Sequence, residues 1–232
     1  MQRLCLCTPQ GTVSLDPLSK LFPIKVIMQI IKISPIGFGA NTYAVTSDGK
    51  NAVVIDPAHS RVADDLKKRG LTAKFVLLTH CHFDHVGGVA SLQQSGAKVF
   101  CSDKEKPLVG TRADLFDMAG LARPPYTIDE TLCDNESREL CGMTVQTLIT
   151  PGHTAGGACY LFTAKDGGRC LFTGDTLFAG TIGRTDFPTG DIGELRASLR
   201  RLCDTFDDVV IYPGHEEETT LARERKTNPF ID

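Results

Sequence analysis

The features that would place this 232-residue chain among membrane, nucleic-acid-binding or disulfide-stapled proteins are absent or weak. No apolar run reaches the ~18–20 residues needed to cross a bilayer. No Lys/Arg run interleaves with aromatic residues and the net charge is −3, so neither nucleic acid nor a membrane surface is an expected partner. Met1–Lys25 carries Pro9, Asp16, Pro17 and Pro23, which break any signal-peptide core, so we expect no export and a cytoplasmic location. That segment also lacks periodicity. Residues 1–27 are therefore expected to be a poorly ordered extension, and residues 28–232 a single domain. The nine cysteines are odd in number, and several lie inside apolar strand-like runs. This pattern fits reduced, buried thiols better than a disulfide framework. Cys5-x-Cys7 reads as an incidental pair.

Histidine is also scarce. Of only six in the chain, three fall within Thr79-His80-Cys81-His82-Phe83-Asp84-His85, together with one aspartate. Imidazole and carboxylate are the usual ligands of zinc and similar divalent metals. In an extended segment, residues two apart face the same side, so His80 and His82 can reach one metal together. A turn into a helix at Asp84–Val86 then aims Asp84 and His85 at a second point nearby. Gly87-Gly88 allows close backbone approach without Cβ clashes.

From Met28 onward, strand-like and helix-like segments alternate. Strands are expected at Met28–Ile33, Thr42–Thr46, Ala52–Ile55, Lys74–Leu78, Lys98–Cys101, Val145–Ile149, Ala158–Phe162, Cys170–Phe172 and Val209–Tyr212. Helices are expected at Ser60–Arg69, Val86–Ser95, Asp191–Cys203 and Thr219–Lys226, with a shorter one at Arg112–Leu121. The irregular stretch 102–136 reads as an insertion or lid near the site. Two batches of strands, each followed by helices, imply sheets sandwiched between helices. Three more candidate ligands follow strand-like runs: His153 in Thr150–Thr154, Asp175 in Thr173–Thr176, and His215 in Tyr212–His215. Strand ends of α/β folds are where functional loops converge. Taken alone, each of the three has an ordinary explanation as a surface, capping or turn residue. Together with the 80–85 cluster they make seven potential ligands, without cysteine, enough for two ions.

The stretches Thr79–His85, Pro151–Thr154, Gly174–Thr176 and Pro213–His215, in that order, resemble the metallo-β-lactamase superfamily. Phe172–Phe178, Gly183–Asp186, Tyr212–His215 and Asn228–Phe230 resemble its short, glyoxalase II-like (hydroxyacylglutathione hydrolase-like) members. The resemblance implies an α/β fold, a four-layer αββα sandwich with a dinuclear site at one edge of the sheets. His80, His82 and His153 would hold one metal, Asp84, His85 and His215 the other, and Asp175 would bridge them. Zinc is the expected occupant, with iron or manganese as alternatives. The implied activity is metal-dependent hydrolysis of a small-molecule acyl thioester or related acyl bond, with Asp84 orienting the nucleophile and moving its proton. Cys81 is expected to point away from the metals into buried packing. Arg184 is the candidate contact for a substrate carboxylate, the alternative being a pair with Asp186 or Asp191. Full-length glyoxalase II enzymes carry a C-terminal helical domain for glutathione, whereas this chain stops at Asp232. It also has Gly183-Arg184-Thr185 where those enzymes keep a lysine and aromatic residues, so the thiol carrier is left open. Two competing functions share the pattern: a persulfide dioxygenase with one iron on His80, His153 and Asp175, and a non-catalytic metal-binding protein. Oligomeric state is not readable from the sequence.

Overall fold

The computed structural model describes residues 28–37 and 39–231. The expected N-terminal extension and Cys5-x-Cys7 lie outside the described residues. Six strands form one mixed sheet in sequential order: β1 (Gln29–Ile33), β2 (Thr42–Thr46), β3 (Asn51–Ile55), β4 (Thr72–Leu77), β5 (Lys98–Ser102) and β6 (Glu130–Leu132). A second mixed sheet contains β7 (Ser137–Leu140), β8 (Met143–Ile149), β9 (Ala158–Thr163), β10 (Arg169–Gly174), β13 (Val210–Pro213) and β14 (Thr219–Thr220), in the order β14-β13-β10-β9-β8-β7. A small hairpin, β11 (Leu177–Phe178) and β12 (Thr181–Ile182), follows β10.

Strand alternation builds the layers. On β2, Tyr43 and Val45 face the opposing sheet while Ala44 faces outward. On β9, Ala158, Tyr160 and Phe162 face inward, and Cys159 and Leu161 face outward. Aromatic residues pack together within the space between the sheets, among aliphatic ones such as Val45, Ile55 and Leu140. Phe172 stacks on Tyr212 at 5.3 Å and meets Phe162 edge-on at 5.1 Å. The outer face of the first sheet is covered by α1 (Val62–Lys68) and α3 (Val89–Gln94). The outer face of the second is covered by α5 (Ile192–Thr205) and α6 (Leu221–Thr227). In α5 the buried residues Leu195, Ser198, Leu199 and Leu202 recur at helical spacing, and the Asp191 carboxylate caps the helix by accepting the Glu194 N–H at 2.9 Å. The result is the expected four-layer αββα sandwich.

Four expectations need correction. The helix expected over Val86–Ser95 is two pieces, α2 (Phe83–Val86) and α3, parted at Gly87-Gly88. A Cβ at either glycine would come within 2.4 Å of a backbone carbonyl, of Ala58 or His59, so the chain passes here only without side chains. The helix expected over Arg112–Leu121 is broken by Leu115, which has φ +63°, and only α4 (Phe116–Ala119) is α-helical. Thr219-Thr220, expected as helix, pairs as β14 with β13, and the Thr220 hydroxyl caps α6. Residues 102–136 are more than an insertion, because they end in β6, the edge strand of the first sheet. Leu115 from this stretch lines the cavity over the site.

Phe172→Ala removes the central ring of the aromatic core and is expected to cost about 3–5 kcal/mol in urea denaturation. Val210→Ala, on an exposed strand position, is expected to stay within about 0.5 kcal/mol. Equal effects would show that the inter-sheet core is not where stability resides.

Candidate metal centre

All seven candidate ligands meet at one rim of the sandwich. The loop after β4 brings His80, His82, Asp84 and His85. The loops after β8, β10 and β13 bring His153, Asp175 and His215. Three donor groups form, each with ligand atoms within 4.8 Å of one another: His80, His82 and His153; Asp84, His85 and His215; and His80, His85 and Asp175. Asp175 links the first two groups. Its Oδ1 lies 3.3 Å from His85 Nε2, and its Oδ2 lies 3.5 Å from His153 Nε2 and 3.7 Å from His215 Nε2. Asp84 Oδ2 is 3.2 Å from His215 Nε2. Donors at ~2.0–2.1 Å around a tetrahedral ion sit about 3.4 Å apart, so these separations suit metal coordination.

Partners outside the cluster fix which nitrogen each imidazole presents. His85 Nδ1 donates to Asp56 Oδ2 at 2.9 Å, which turns Nε2 inward. Thr79 Oγ1 donates to the same Asp56 oxygen at 2.6 Å and accepts from His80 Nδ1 at 3.1 Å. His153 Nδ1 donates to the Arg184 carbonyl at 2.7 Å. His82 is reversed: its Nδ1 lies 3.0 Å from His153 Nε2 and faces the cluster. Within the described protein, His80 Nε2, His85 Nε2 and Asp175 Oδ1 are buried without a hydrogen-bond partner. Such unpaired atoms are costly unless a ligand satisfies them, and three of them converging on one point fit divalent metal ions.

The electrostatics agree. Burial and the neighbouring imidazoles push His80 well below its ordinary value, and burial beside His153 takes His82 down to about 3, so both are neutral ligands at neutral pH. Burial would raise Asp175, but His85 and the other histidines outweigh it and keep the carboxylate ionised. His85 differs: burial opposes its charge, but Asp175, Asp84 and Asp56 outweigh burial and raise the group, so with no metal bound it holds a proton that an incoming ion would replace.

Sequence reasoning named every residue of the cluster but missed those that hold it. Asp56 follows β3 at a strand end, the same signal that marked His153 and Asp175, and its φ of +47° turns the chain into the site. Glu105 is fully buried, accepting from the Cys81 N–H and the Thr154 hydroxyl, both at 2.8 Å, and so ties the β4 loop to the β8 loop. Asn41 and Tyr43 brace the His215 loop, with the Tyr43 hydroxyl donating to the Pro213 carbonyl at 3.0 Å. Gly214 must be glycine, because a Cβ there would lie 2.3 Å from Asp175 Oδ1. Cys81 is buried, and burial pushes its thiol well up, as expected for packing. Arg184 adopts the pairing alternative: Nε and Nη2 donate to the Asp186 carboxylate at 2.6 and 2.5 Å, and the guanidinium sits 4.0 Å over the Phe187 ring. It still borders the cavity of about 560 Å³ over the cluster, beside Leu115, Phe178 and Ile182.

Asp56→Ala frees the His85 ring and unties Thr79. It is expected to weaken zinc binding about 10–100-fold in chelator competition, with the far-ultraviolet circular dichroism spectrum retained. Unchanged affinity would refute this orienting role.

The metallo-beta-lactamase superfamily profile matches residues 35–215. A hydroxyacylglutathione hydrolase, GloC, of Haemophilus influenzae is 35% identical over 210 residues, covering 87% of this chain and 98% of the relative. Among solved structures, the BLEG-1 B3 metallo-beta-lactamase superposes with a TM-score of 0.77 at 31% identity, covering 88% of this chain and 99% of that one. TTHA1623, described in a di-iron-bound form, superposes with a TM-score of 0.72 at 35% identity, covering 86% and 100%. With its fold, ligand cluster and profile match in agreement, the chain belongs to the metallo-beta-lactamase superfamily.

Proposed function

We propose that this chain is a dinuclear metallohydrolase that cleaves small-molecule acyl thioesters, in the manner of glyoxalase II-like enzymes. The observation that carries this reading is the pair of ligand groups standing side by side and sharing Asp175. His80, His82 and His153 would hold one ion and Asp84, His85 and His215 the other, with Asp175 between them. Zinc is the expected metal, and the di-iron form of TTHA1623 keeps iron in view. Bound there, the two ions would supply Lewis acidity and a nucleophile at neutral pH, by lowering the pKa of water from 15.7 towards ~7.

The chain's own groups account for the remaining requirements. Asp84 borders the cavity and carries a partly exposed carboxylate, which supports a role in orienting a nucleophile and accepting its proton. Leu115, Phe178, Ile182 and Phe187 wall the cavity and offer apolar surface for a substrate to pack against. A thiolate departs without a proton, so the leaving side asks for no general acid. Arg184, released from Asp186, would meet a carboxylate on the thiol carrier. The 35% identity to GloC supports the thioester class. The buried, unpaired Cys101, Cys159 and Cys170 suit a reducing, cytoplasmic setting.

The deciding experiment pairs metal analysis with a thioester panel and oxygen uptake. The expected outcome is about two ions per chain, with thioester turnover and no oxygen consumption. One iron per chain with oxygen uptake on glutathione persulfide would sink the hydrolase reading. Full metal loading with no turnover of any thioester, ester or lactone would favour a non-catalytic binder. Asp175→Ala is expected to abolish activity and lower metal content; full retained activity would remove Asp175 from between the ions.

A further inference from the structure

We propose that a second, apolar cavity beside the ligand cluster is the subsite for the acyl group of the substrate, selecting medium-length aliphatic chains. The inference rests on the thioesterase reading and extends it to the substrate class. This cavity encloses about 380 Å³, within the ~300–1,000 Å³ range of small-molecule sites. Its walls are Ile36 from the loop after β1, Phe83 from α2, and Phe116, Leu121 and Pro124 from the irregular 102–136 stretch. Among the described residues, Asp84 is the one ionisable residue lining it. Phe83 and Asp84 also line the cavity over the cluster, so the two spaces share the wall that these residues form.

This geometry assigns the two halves of a thioester. With its carbonyl at the cluster, one arm of the substrate runs past Phe83 into an apolar space. The other runs along the wall that carries Arg184 and Glu216. An aliphatic acyl chain suits the first arm and a polar thiol carrier the second, because charged groups are costly to bury away from water. Ile36 and Leu121 are 47% and 52% exposed, unusual for large apolar side chains, and an acyl chain in the cavity would cover them. Concavity and the wall shared with the cavity over the cluster favour a small-molecule occupant over a second copy of the chain.

The test uses the zinc-loaded full chain and a series of N-acetylcysteamine thioesters from acetyl to octanoyl. Each buried methylene should raise kcat/KM roughly fourfold until the cavity is filled. Ala122→Trp narrows the cavity, and Leu121→Asp places a charge in its wall. Each is expected to lower the octanoyl-to-acetyl ratio of kcat/KM at least about tenfold. Calorimetric binding of octanamide gives a readout independent of turnover, and it should weaken in both variants. A flat chain-length profile, or ratios that neither variant changes, would overturn the subsite. So would a dimer whose formation excludes octanamide. If no thioester is cleaved while octanamide binds the wild type and not Leu121→Asp, the subsite stands as an aliphatic-chain site and the hydrolase reading alone fails.

Discussion

Buried polar atoms that cannot fully satisfy one another set the terms for this molecule. His80 Nε2, His85 Nε2 and Asp175 Oδ1 come to a common point, buried and without a well-formed hydrogen bond. In a protein interior that arrangement is unfavourable, and the side chains would rotate away if they were free to do so. They are not free. Asp56 and the Arg184 carbonyl take the outward N–H groups of His85 and His153, and Thr79, itself bonded to Asp56, takes that of His80. The surrounding hydrogen bonds thus maintain a deficit of positive charge, which a pair of cations would fill.

That deficit also explains why the site lies where the two sheets meet. The β4 loop comes from the first sheet, and the β8, β10 and β13 loops come from the second. Neither sheet alone supplies either full set. The loops are therefore tied across the gap at several points. The Ala158 N–H donates to the Thr79 carbonyl at 2.9 Å, the Tyr160 hydroxyl donates to the Leu78 carbonyl at 2.7 Å, and Glu105 bridges Cys81 and Thr154. The aromatic core beneath sets the sheet spacing, and these ties convert it into ligand spacing. A change in core volume would be felt at the cluster because close-packed interiors transmit strain.

The sequence was legible where pattern and chemistry coincide. Strands β2 and β9 announce themselves because nearly every position is buried and their centres are apolar, and β8 because buried Met143 and Val145 alternate with exposed Thr144. The ligand cluster announces itself because histidine is otherwise rare in this chain. What escaped was of another kind. Strand β7 has three exposed residues in four, and β6 is three residues long, so neither carries a hydrophobic signature. The split between α2 and α3 depends on the backbone of Ala58 and His59 crossing close to Gly87-Gly88, a contact no local propensity contains. Asp56 and Glu105 were hidden for a related reason. A carboxylate that orients a ligand looks, in sequence, like any strand-end or turn acid until the fold shows what it faces.

The ligand set and the cavity walls therefore answer different questions. A pair of divalent ions activates water towards almost any polarised carbonyl, and one fold carries many chemistries, so the cluster alone cannot choose a substrate. Choice falls to residues that touch no ligand. Arg184 shows how the roles divide within one residue: its carbonyl fixes His153, while its side chain, clamped to Asp186 and stacked on Phe187, faces the cavity. A carboxylate-bearing substrate must outcompete Asp186 for that guanidinium. Because the pair is exposed, the Asp186 contact is weak and the exchange costs little. On the proposed thioesterase reading, the backbone of this loop would stay fixed by its bond to His153, while the side chain, stacked on Phe187, would exchange Asp186 for the substrate.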